Sequence, residues 1–256
     1  MSVREIVMNV VSAIFVQFDA EAAAELLAPG YIQHNPGVPT GAAPILGLIP
    51  ALKESGLELS IHRVLAEGDY VVLHSTYVNA QAFGAATLVA FDVFRVEDGK
   101  VAEHWDNLQP LSPANASGRT MVDGETAVND LGKTSDNKAL VSGFVTDVLQ
   151  GKAPQKIADY VSTETYLQHN PMVADGLDGL GAAMKAMAEA GQMMRYDTTH
   201  MIVAEGNFVF TASEGAMGDT PTAFFDLFRV QDGKIVEHWD TISTIPTDMV
   251  HENGKF

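Results

Sequence analysis

The sequence predicts an α+β fold that is built twice in tandem, and three observations support this prediction. First, residues 90–106 read AFDVFRVEDGKVAEHWD and residues 224–240 read FFDLFRVQDGKIVEHWD; twelve of the seventeen positions are identical, which indicates two copies of one domain. Second, helical periodicity comes first in each copy, and alternation of apolar and polar residues follows it. Third, Asp-Gly pairs or similar turns separate the alternating segments, as in β-hairpins. Helices followed by antiparallel strands are typical of an α+β domain with its helices on one face of the sheet.

The composition agrees with two globular domains. The chain has 256 residues, enough for two domains of about 125 residues, each near the usual size for a single core. Its 33 acidic and 15 basic residues give a formal net charge of −18, which disfavours binding to nucleic acid or to anionic membrane surfaces. The absence of cysteine excludes disulfides, thiolate metal sites and cysteine nucleophiles.

The apolar segment near the N-terminus is predicted to be a helix of the fold. Residues 6–18 are mostly apolar and follow Arg4, a pattern that a signal peptide also shows. Glu5 and Asn9 interrupt this segment, however, and its counterpart in copy two, residues 142–149, lies in mid-chain. We therefore expect a structural helix and a cytoplasmic protein.

Periodicity predicts the same order of elements in both copies. In copy one, helices are predicted over 3–17, 20–27 and 41–55, and strands over 58–66, 70–79, 86–96 and 100–108. In copy two, a helix is predicted over 176–191, and strands over 199–204 and 208–213 precede the repeated hairpin.

A second motif is also repeated. Tyr-Ile-Gln-His-Asn-Pro at 31–36 returns as Tyr-Leu-Gln-His-Asn-Pro at 166–171. It is expected to be extended or a turn, because the residue before a proline avoids helical geometry. The predicted domains are 1–112 and 135–256, joined by a polar linker over 113–134.

The order of elements and these motifs resemble the SnoaL-like group of the NTF2-like superfamily. The resemblance rests on three helices before four strands, on the His-Asn-Pro, and on a final hairpin with an Asp-Gly-Lys turn and a Glu-His-Trp-Asp end. It implies two cone-shaped α+β barrels, each with three helices packed on a curved antiparallel sheet. Members include polyketide cyclases, isomerases, hydrolases, dehydratases and proteins that only bind or dimerise, so the fold alone does not fix the activity.

The resemblance also implies how the copies associate. NTF2-like domains commonly pair through their sheets, so two copies in one chain are expected to form an intrachain pseudo-dimer. Such a pair does not depend on protein concentration.

Strand alternation indicates which residues share a face. Asp92 faces one side of its strand, and His104 and Asp106 share a face of the next. We predict that these three residues line a pocket between sheet and helices; the opposite assignment, with Glu103 and Trp105 inside, stays open. A carboxylate and an imidazole beside an apolar pocket can move a proton at carbon, because burial raises the pKa of a carboxylic acid toward neutrality.

The resemblance implies an aspartate as general acid/base in an aldol step without metal or cofactor. Many members carry that aspartate several residues after the tryptophan, where this chain has Gln109 and Ser243, so Asp106 and Asp240 remain as candidates. The predicted catalytic residues are Asp106, Asp240, His34, His169, His104 and His238, and the predicted substrate-binding residues are Tyr31, Tyr166, Asp92, Asp226, Trp105 and Trp239. Because nearly all of them occur in both copies, two equal sites are expected, with no cofactor and no metal.

These residues support one leading hypothesis and two alternatives. The first is a cofactor-independent cyclase, isomerase or lyase that acts on a small hydrophobic carbonyl compound, with His34 or Tyr31 donating a hydrogen bond to an enolate. The second is a non-catalytic module that binds a small hydrophobic molecule or another protein, and the third is a purely structural duplicated domain. The same residues also have structural interpretations: His34 and Asn35 can tie down a loop, and the tryptophans can be core anchors.

Overall fold

The computed structural model describes the whole chain, Met1–Phe256, as two compact units. Unit 1 contains Met1–Leu111 together with Pro246–Phe256, and unit 2 contains Ser112–Ile245. These bounds differ from the predicted ones, because the polar linker belongs to unit 2 and the C-terminal residues belong to unit 1.

A segment of turns and irregular structure closes each unit. We call residues 112–124 the linker strap and residues 246–256 the C-terminal strap. In the linker strap, the Asn115 side-chain amide donates to the carbonyl oxygen of Gln168 over 2.6 Å. In the C-terminal strap, the Asn253 amide donates to the carbonyl oxygen of Gln33 over 2.8 Å. Each strap therefore lies against one copy of the repeated Gln-His-Asn-Pro segment.

The first helix of unit 1 begins where its sequence offers a cap. The Ser2 hydroxyl accepts a hydrogen bond from the Glu5 backbone N–H, and the Glu5 carboxylate accepts from the Ser2 backbone N–H. The regular helix ends at Ser12, and one wide π turn over Ala13–Gln17 follows. The helices of unit 1 are α1 (Val3–Ser12), α2 (Ala20–Leu26) and α3 (Ala42–Glu54), in agreement with the predicted ones.

The sheet of unit 1 has five strands rather than the predicted four. Its strands are β1 (Leu27–Gln33), β2 (Glu58–Glu67), β3 (Tyr70–Val78), β4 (Thr87–Glu97) and β5 (Lys100–Pro110), in the spatial order β1-β5-β4-β3-β2. The additional strand β1 pairs in parallel with β5, and the other neighbours are antiparallel. The four predicted strands form the expected antiparallel sheet, and the parallel strand β1 extends it. The sequence did not predict β1, because Pro29 and Gly30 interrupt the alternation of apolar and polar residues that marks a strand. The pairing of β1 with β5 also shifts register between Leu27 and Ile32.

Unit 2 repeats this arrangement. Its elements are α4 (Thr134–Phe144), α5 (Ile157–Tyr160), β6 (Leu167–Gln168), α6 (Gly176–Glu189), β7 (Met194–Glu205), β8 (Phe208–Met217), β9 (Thr220–Gln231) and β10 (Lys234–Thr244). The sheet order is β6-β10-β9-β8-β7, with β6 again parallel to β10. Strands β7 and β8 are longer than predicted.

The repeated Asp-Gly pairs form the predicted hairpin turns. Asp98 and Gly99 have φ angles of 50° and 77°, and Asp232 and Gly233 have φ angles of 52° and 72°. Positive φ at both central residues gives the turn whose twist matches that of the flanking strands. No helix of the structure is long and apolar enough to span a membrane.

Candidate functional site

Two aspartates face each other in the centre of each sheet. Asp92 on β4 lies directly opposite Asp106 on β5, and in unit 2 Asp226 on β9 lies opposite Asp240 on β10. All four side chains are buried. Like charges directly opposite each other destabilise a sheet, and burial adds the cost of desolvation. Because each of the two sheets contains such a pair, nearby groups must offset its negative charge.

The parallel strand β1 supplies one of these groups. Gln33 pairs with His104 across β1 and β5, and its side-chain oxygen accepts hydrogen bonds from the backbone N–H groups of His34 (3.0 Å) and Asn35 (2.9 Å). The same oxygen lies 2.9 Å from His104 Nδ1. Because the two backbone donors fix this atom as the amide oxygen, the His104 ring must donate its Nδ1–H to it.

That bond leaves His104 Nε2 for the aspartate. His104 Nε2 lies 3.2 Å from Asp92 Oδ1, and the Tyr77 hydroxyl donates to Asp92 Oδ2 over 3.0 Å. In unit 2, His238 Nδ1 lies 3.0 Å from Gln168 Oε1, and Nε2 lies 2.9 Å from Asp226 Oδ1. Asp92 and His104, like Asp226 and His238, therefore form a buried carboxylate–imidazole pair.

An asparagine holds the second aspartate. Asn35 Nδ2 donates to Asp106 Oδ2 over 2.5 Å, while Asn35 Oδ1 accepts from the Gly37 backbone N–H over 2.8 Å. Asn170 donates to Asp240 Oδ2 in the same way over 2.7 Å. The other oxygen, Oδ1 of Asp106 and of Asp240, is buried and accepts no hydrogen bond, although Lys255 Nζ lies 3.6 Å from Asp106 Oδ1. This oxygen is available for a proton or a ligand.

Burial shifts the proton affinities of these groups. It raises the pKa of Asp92, and it raises the pKa of Asp240 to about 6. Burial alone would lower the pKa of His238, but the hydrogen bond to Asp226 and the charges of Asp240 and Asp226 raise it. Asp240 is thus placed to exchange a proton near neutral pH.

A cavity adjoins the aspartates of unit 1. Its empty space, open mouth included, is about 350 Å³. Its polar lining consists of Gln33, Asn35, Tyr77, Asp92, His104 and Asp106, and its apolar lining of Phe15, Val38, Ile45, Phe83 and Leu108. Phe15 comes from the wide turn that follows α1, a type of turn that is frequent at functional sites. The sequence left open which face of these strands lines the pocket. In the structure it is the face that bears Asp92, His104 and Asp106.

The other predicted histidines lie elsewhere. His34 Nε2 is 2.9 Å from Glu103 Oε1, and the His34 ring stacks on Trp105 at 4.9 Å between centroids. Arg95 also donates to Glu103, over 2.9 Å. Glu103 and Trp105 alternate with His104 and Asp106, so His34 belongs to the sheet face opposite the cavity. His169 makes the matching contacts with Glu237 (2.9 Å) and Trp239 (4.6 Å).

These placements differ from the expected roles of His34, His169, Trp105 and Trp239. None of the four lines the cavity or contacts the carboxylates of Asp106 and Asp240; they form a buried layer with a glutamate. Tyr31 and Tyr166 are buried as well, and their hydroxyls accept from Gln33 and Gln168 over 3.2 and 3.1 Å. They support the glutamines.

The two aspartates and the histidine of each site could also serve as metal ligands. One ligand atom of each lies within 4.8 Å of the other two, in both units. Both nitrogens of His104 and of His238, however, already have protein partners, so the imidazole would have to give up a hydrogen bond to bind an ion. The residues fit proton transfer better than metal binding.

Several residues of the site were not predicted from the sequence. Gln33 and Asn35 belong to the repeated motif, whose retention in both copies was the available signal. Tyr77 and Tyr196 give no repeat signal, because they reach equivalent aspartates from strands that are not equivalent, β3 and β7. Lys255, whose Nζ lies 3.6 Å from Asp106 Oδ1, is distant in sequence from every motif.

The chain matches one family model. The model is described as a SnoaL-like domain, and it matches residues 11–104 and 141–238, one segment in each unit and together more than half of the chain. A comparison with curated protein sequences gave no match.

Solved structures give further similarities. TsrD from Streptomyces laurentii is 24% identical; the match covers 42% of this chain and 87% of that one, with a TM-score of 0.36. An NTF2-like protein of unknown function from Cytophaga hutchinsonii is 18% identical over 43% of this chain and 92% of its own, with a TM-score of 0.36. IdmH from Streptomyces antibioticus, a candidate polyketide cyclase, is 18% identical over 43% and 93%, also with a TM-score of 0.36.

Proposed function

Because the chain belongs to the SnoaL-like domain family, we propose that it is a cofactor-independent acid–base enzyme of the cyclase, isomerase or lyase type. Its substrate would be a small, largely apolar carbonyl compound. One observation carries this proposal: a buried aspartate with one unbonded oxygen stands opposite a carboxylate–imidazole pair at an apolar cavity. This combination can take a proton from carbon and return it elsewhere.

The proposed step needs no external reactant. Asp106 Oδ1 takes a proton from the carbon next to the substrate carbonyl, and the C–H electron pair forms the enolate. The proton that Asp92 and His104 share lies on the same side of the cavity and can be donated to the enolate oxygen. Asp106 then returns its proton, either to another carbon (isomerisation) or to the alkoxide formed when the enol attacks a second carbonyl group (cyclisation). As the first carbonyl re-forms, its O–H proton goes back to the Asp92–His104 pair, which restores the site. Asp240, Asp226 and His238 take the same roles in unit 2.

The residues around the aspartates and histidines do not transfer protons in this proposal. Gln33 and Gln168 set the ring orientation of the histidines, and Asn35 and Asn170 orient the aspartates. His34 and His169 are given no part in proton transfer, because a glutamate and a tryptophan hold them on the opposite face.

The test is the double substitution Asp106→Asn and Asp240→Asn. We expect the turnover of carbonyl substrates to fall by at least 100-fold, since a positioned acid/base contributes about 100- to 10,000-fold. Glu103→Gln together with Glu237→Gln is the matched control, because these carboxylates lie on the same strands and face away from the cavity. Unchanged turnover in the aspartate variant, with circular dichroism like that of the original protein, would exclude the assignment.

The small apolar cavity also favours a second candidate, a module that binds a small hydrophobic molecule without converting it. Three aliphatic side chains and two phenylalanines form one wall of it, beside the six polar residues of the site. Calorimetric titration with small apolar ketones would separate the two functions: binding without product over hours indicates the module, and product formation indicates the enzyme.

The pairing of the two copies through their sheets stays a prediction, tested by sedimentation, which should give a 27.4 kDa monomer at all concentrations if the pairing is internal.

A further inference from the structure

The two straps hold equivalent histidines, but a different residue follows the point of contact in each strap. His34 Nδ1 lies 3.0 Å from the carbonyl oxygen of Gly254 in the C-terminal strap, and His169 Nδ1 lies 2.8 Å from that of Thr120 in the linker strap. Gly254 and Thr120 thus hold equivalent histidines through their backbone carbonyl groups, although the straps differ in length between Asn253 and Gly254 and between Asn115 and Thr120. The next residue is Lys255 in one strap and Met121 in the other, and these side chains are only 5% and 1% exposed.

Lys255 brings a positive charge to the site of unit 1. Its Nζ donates to the backbone carbonyl oxygen of Asp106 over 2.6 Å and lies 3.6 Å from Asp106 Oδ1, the oxygen that no other group holds. An ammonium group at this distance from a buried carboxylate favours the ionised form of both groups. A methionine thioether carries no charge and cannot act in this way.

Unit 2 has the same negative charges without this partner. Asp240 Oδ1 and Asp226 Oδ2 are both buried without a hydrogen-bond donor, whereas both oxygens of Asp92 in unit 1 are bonded. The titratable groups around Asp240 are Asp226 from β9, His238 from β10, His169 after β6, Tyr166 before β6 and Tyr196 from β7. The corresponding groups around Asp106 are Asp92, His104, Tyr31, Tyr77 and, in addition, Lys255.

We propose that the two sites balance the same buried negative charge differently, unit 1 with the ammonium group of Lys255 and unit 2, once the solution is mildly acidic, with a proton that Asp240 takes up. A buried carboxylate without a counter-ion takes up a proton, because neutralisation removes the cost of desolvation. The pKa of Asp240, raised to about 6 by burial, agrees with this assignment. Burial lowers the pKa of Lys255, and the charge of Asp106 opposes that change.

This inference bears on the proposed function, on which its catalytic consequence rests. In unit 1 Asp106, paired with the ammonium group of Lys255, would start the reaction as a base. In unit 2 Asp240 would act as a base above about pH 6 and as an acid below it. Lys255 is thus a positioning residue for unit 1, and the expectation of two equal sites is replaced by two sites with different pH profiles.

The experiment exchanges the strap residues in the full chain and observes the aspartate side chains directly. Carboxyl ¹³C NMR spectra are recorded from pH 4.5 to 8, with Asp106 and Asp240 assigned through Asp106→Asn and Asp240→Asn. In the original protein we expect Asp240 to bind a proton near pH 6 and Asp106, beside Lys255, to be the more ionised of the two aspartates. In Met121→Lys the midpoint of Asp240 should fall by about one pH unit or more. In Lys255→Met the Asp106 signal should move toward that of the protonated form, and Lys255→Arg should reverse the change.

Several results would overturn the proposal. One is an equal degree of ionisation of Asp106 and Asp240 at pH 5.5 in the original protein. Another is a Met121→Lys variant in which the Asp240 signal does not move; this variant decides the matter if Lys255→Met does not fold. A change of the Asp240 signal on treatment with a chelator would show that a metal ion, not a proton, balances the charge. These spectra need no turnover, so an inactive protein would refute the proposed function and leave this test intact.

Discussion

At the scale of single residues, the molecule places four aspartates where a stable sheet would have apolar side chains. Asp92 and Asp106 face each other across β4 and β5, and their counterparts do so in unit 2. Amides, an imidazole and a tyrosine hydroxyl surround each pair, yet one oxygen of Asp106 and one of Asp240 remain without a donor. Unbonded buried oxygens reduce stability, and their retention in both copies supports the proposed acid–base role.

Asp240 should make the protein more stable at acidic pH than at neutral pH. Its folded pKa of about 6 lies above its unfolded value, so the folded state binds the proton more tightly. This contribution is complete below about pH 4 and is lost as the pH rises through about 6. Asp240→Asn should therefore raise the free energy of unfolding at pH 7 by up to about 3 kcal/mol and flatten its pH dependence between about 4 and 6. Urea denaturation at several pH values measures both effects.

Asp106→Asn is the matched variant, and its effect should have the opposite sign. It removes the partner of the buried ammonium group of Lys255, and an unpaired buried charge costs roughly 3 kcal/mol. The same denaturation series should show lower stability than that of the original protein at pH 7. Equal effects of the two substitutions would contradict the different surroundings of the two aspartates.

Gln33→Met should impair the site of unit 1 through the histidine. The substitution keeps the side-chain volume but leaves His104 Nδ1 and the Asn35 backbone N–H without their acceptor, while the His34 N–H keeps its bond to the His104 carbonyl oxygen. We expect a loss of stability of about 1 to 3 kcal/mol. Turnover in unit 1, measured with Asp240→Asn to silence unit 2, should fall at least tenfold. Gln109→Met on the same sheet is the control, and an equal fall in that variant would remove the special role of Gln33.

At the scale of elements, periodicity predicted the helices and the hairpins, because their cores and turns are encoded locally. The Asp-Gly turns and the apolar stripe of α1 are examples. It missed β1, since the pairing that makes 27–33 a strand is with β5, about seventy residues away, and the segment itself contains Pro29 and Gly30. The same limit explains the site. The repeat identified the Gln-His-Asn-Pro segment, but only the pairing of β1 with β5 decides that glutamine and asparagine, rather than histidine, face the aspartates.

The linker strap should be sensitive to substitution at one glycine. Gly124 has φ +91°, and a Cβ there would meet the side chains of Glu237, His169 and Trp239. Gly124→Ala should therefore destabilise unit 2 by well over the cost of about 1 kcal/mol for the backbone conformation alone. Gly118→Ala is the control, because Gly118 has φ +80° but nothing within 4 Å of its Cβ position. Thermal unfolding of the two variants should differ; the same shift in both would show that the strap is not closely packed at Gly124.

At the scale of the whole molecule, each unit is completed by a segment that follows the last strand of the other unit. The linker strap follows β5 of unit 1 and belongs to unit 2, and the C-terminal strap follows β10 of unit 2 and belongs to unit 1. The straps bind the Gln-His-Asn-Pro segments. A substitution in the linker strap is therefore expected to destabilise unit 2, and one in the C-terminal strap to destabilise unit 1. The sequence could not predict this exchange of straps. The repeat indicates where the two copies lie along the chain, but it does not indicate which copy the residues between and after them pack against.

Removal of residues 246–256 should weaken unit 1 and leave unit 2 intact. It deletes the hydrogen bonds from Asn253 to Gln33 and from His251 to the Asn35 carbonyl oxygen, as well as Lys255. Hydrogen exchange of the β1 and β5 amides should become faster, while exchange of the β9 and β10 amides should not change. Faster exchange in β9 and β10, the strands that directly precede the deletion, would contradict the division of the chain into these two units.

The exchange of straps also sets the order in which a ribosome can finish the two halves. The linker strap is synthesised before the first helix of unit 2, so unit 2 is complete once β10 has been synthesised. The strands of unit 1 are made first, yet this half waits for residues 246–256 while the whole of unit 2 is translated, a delay on the order of ten seconds. During that interval the carboxylate of Asp106 lacks its ammonium partner, and a nascent chain interrupted before the strap carries a finished second half and an unfinished first.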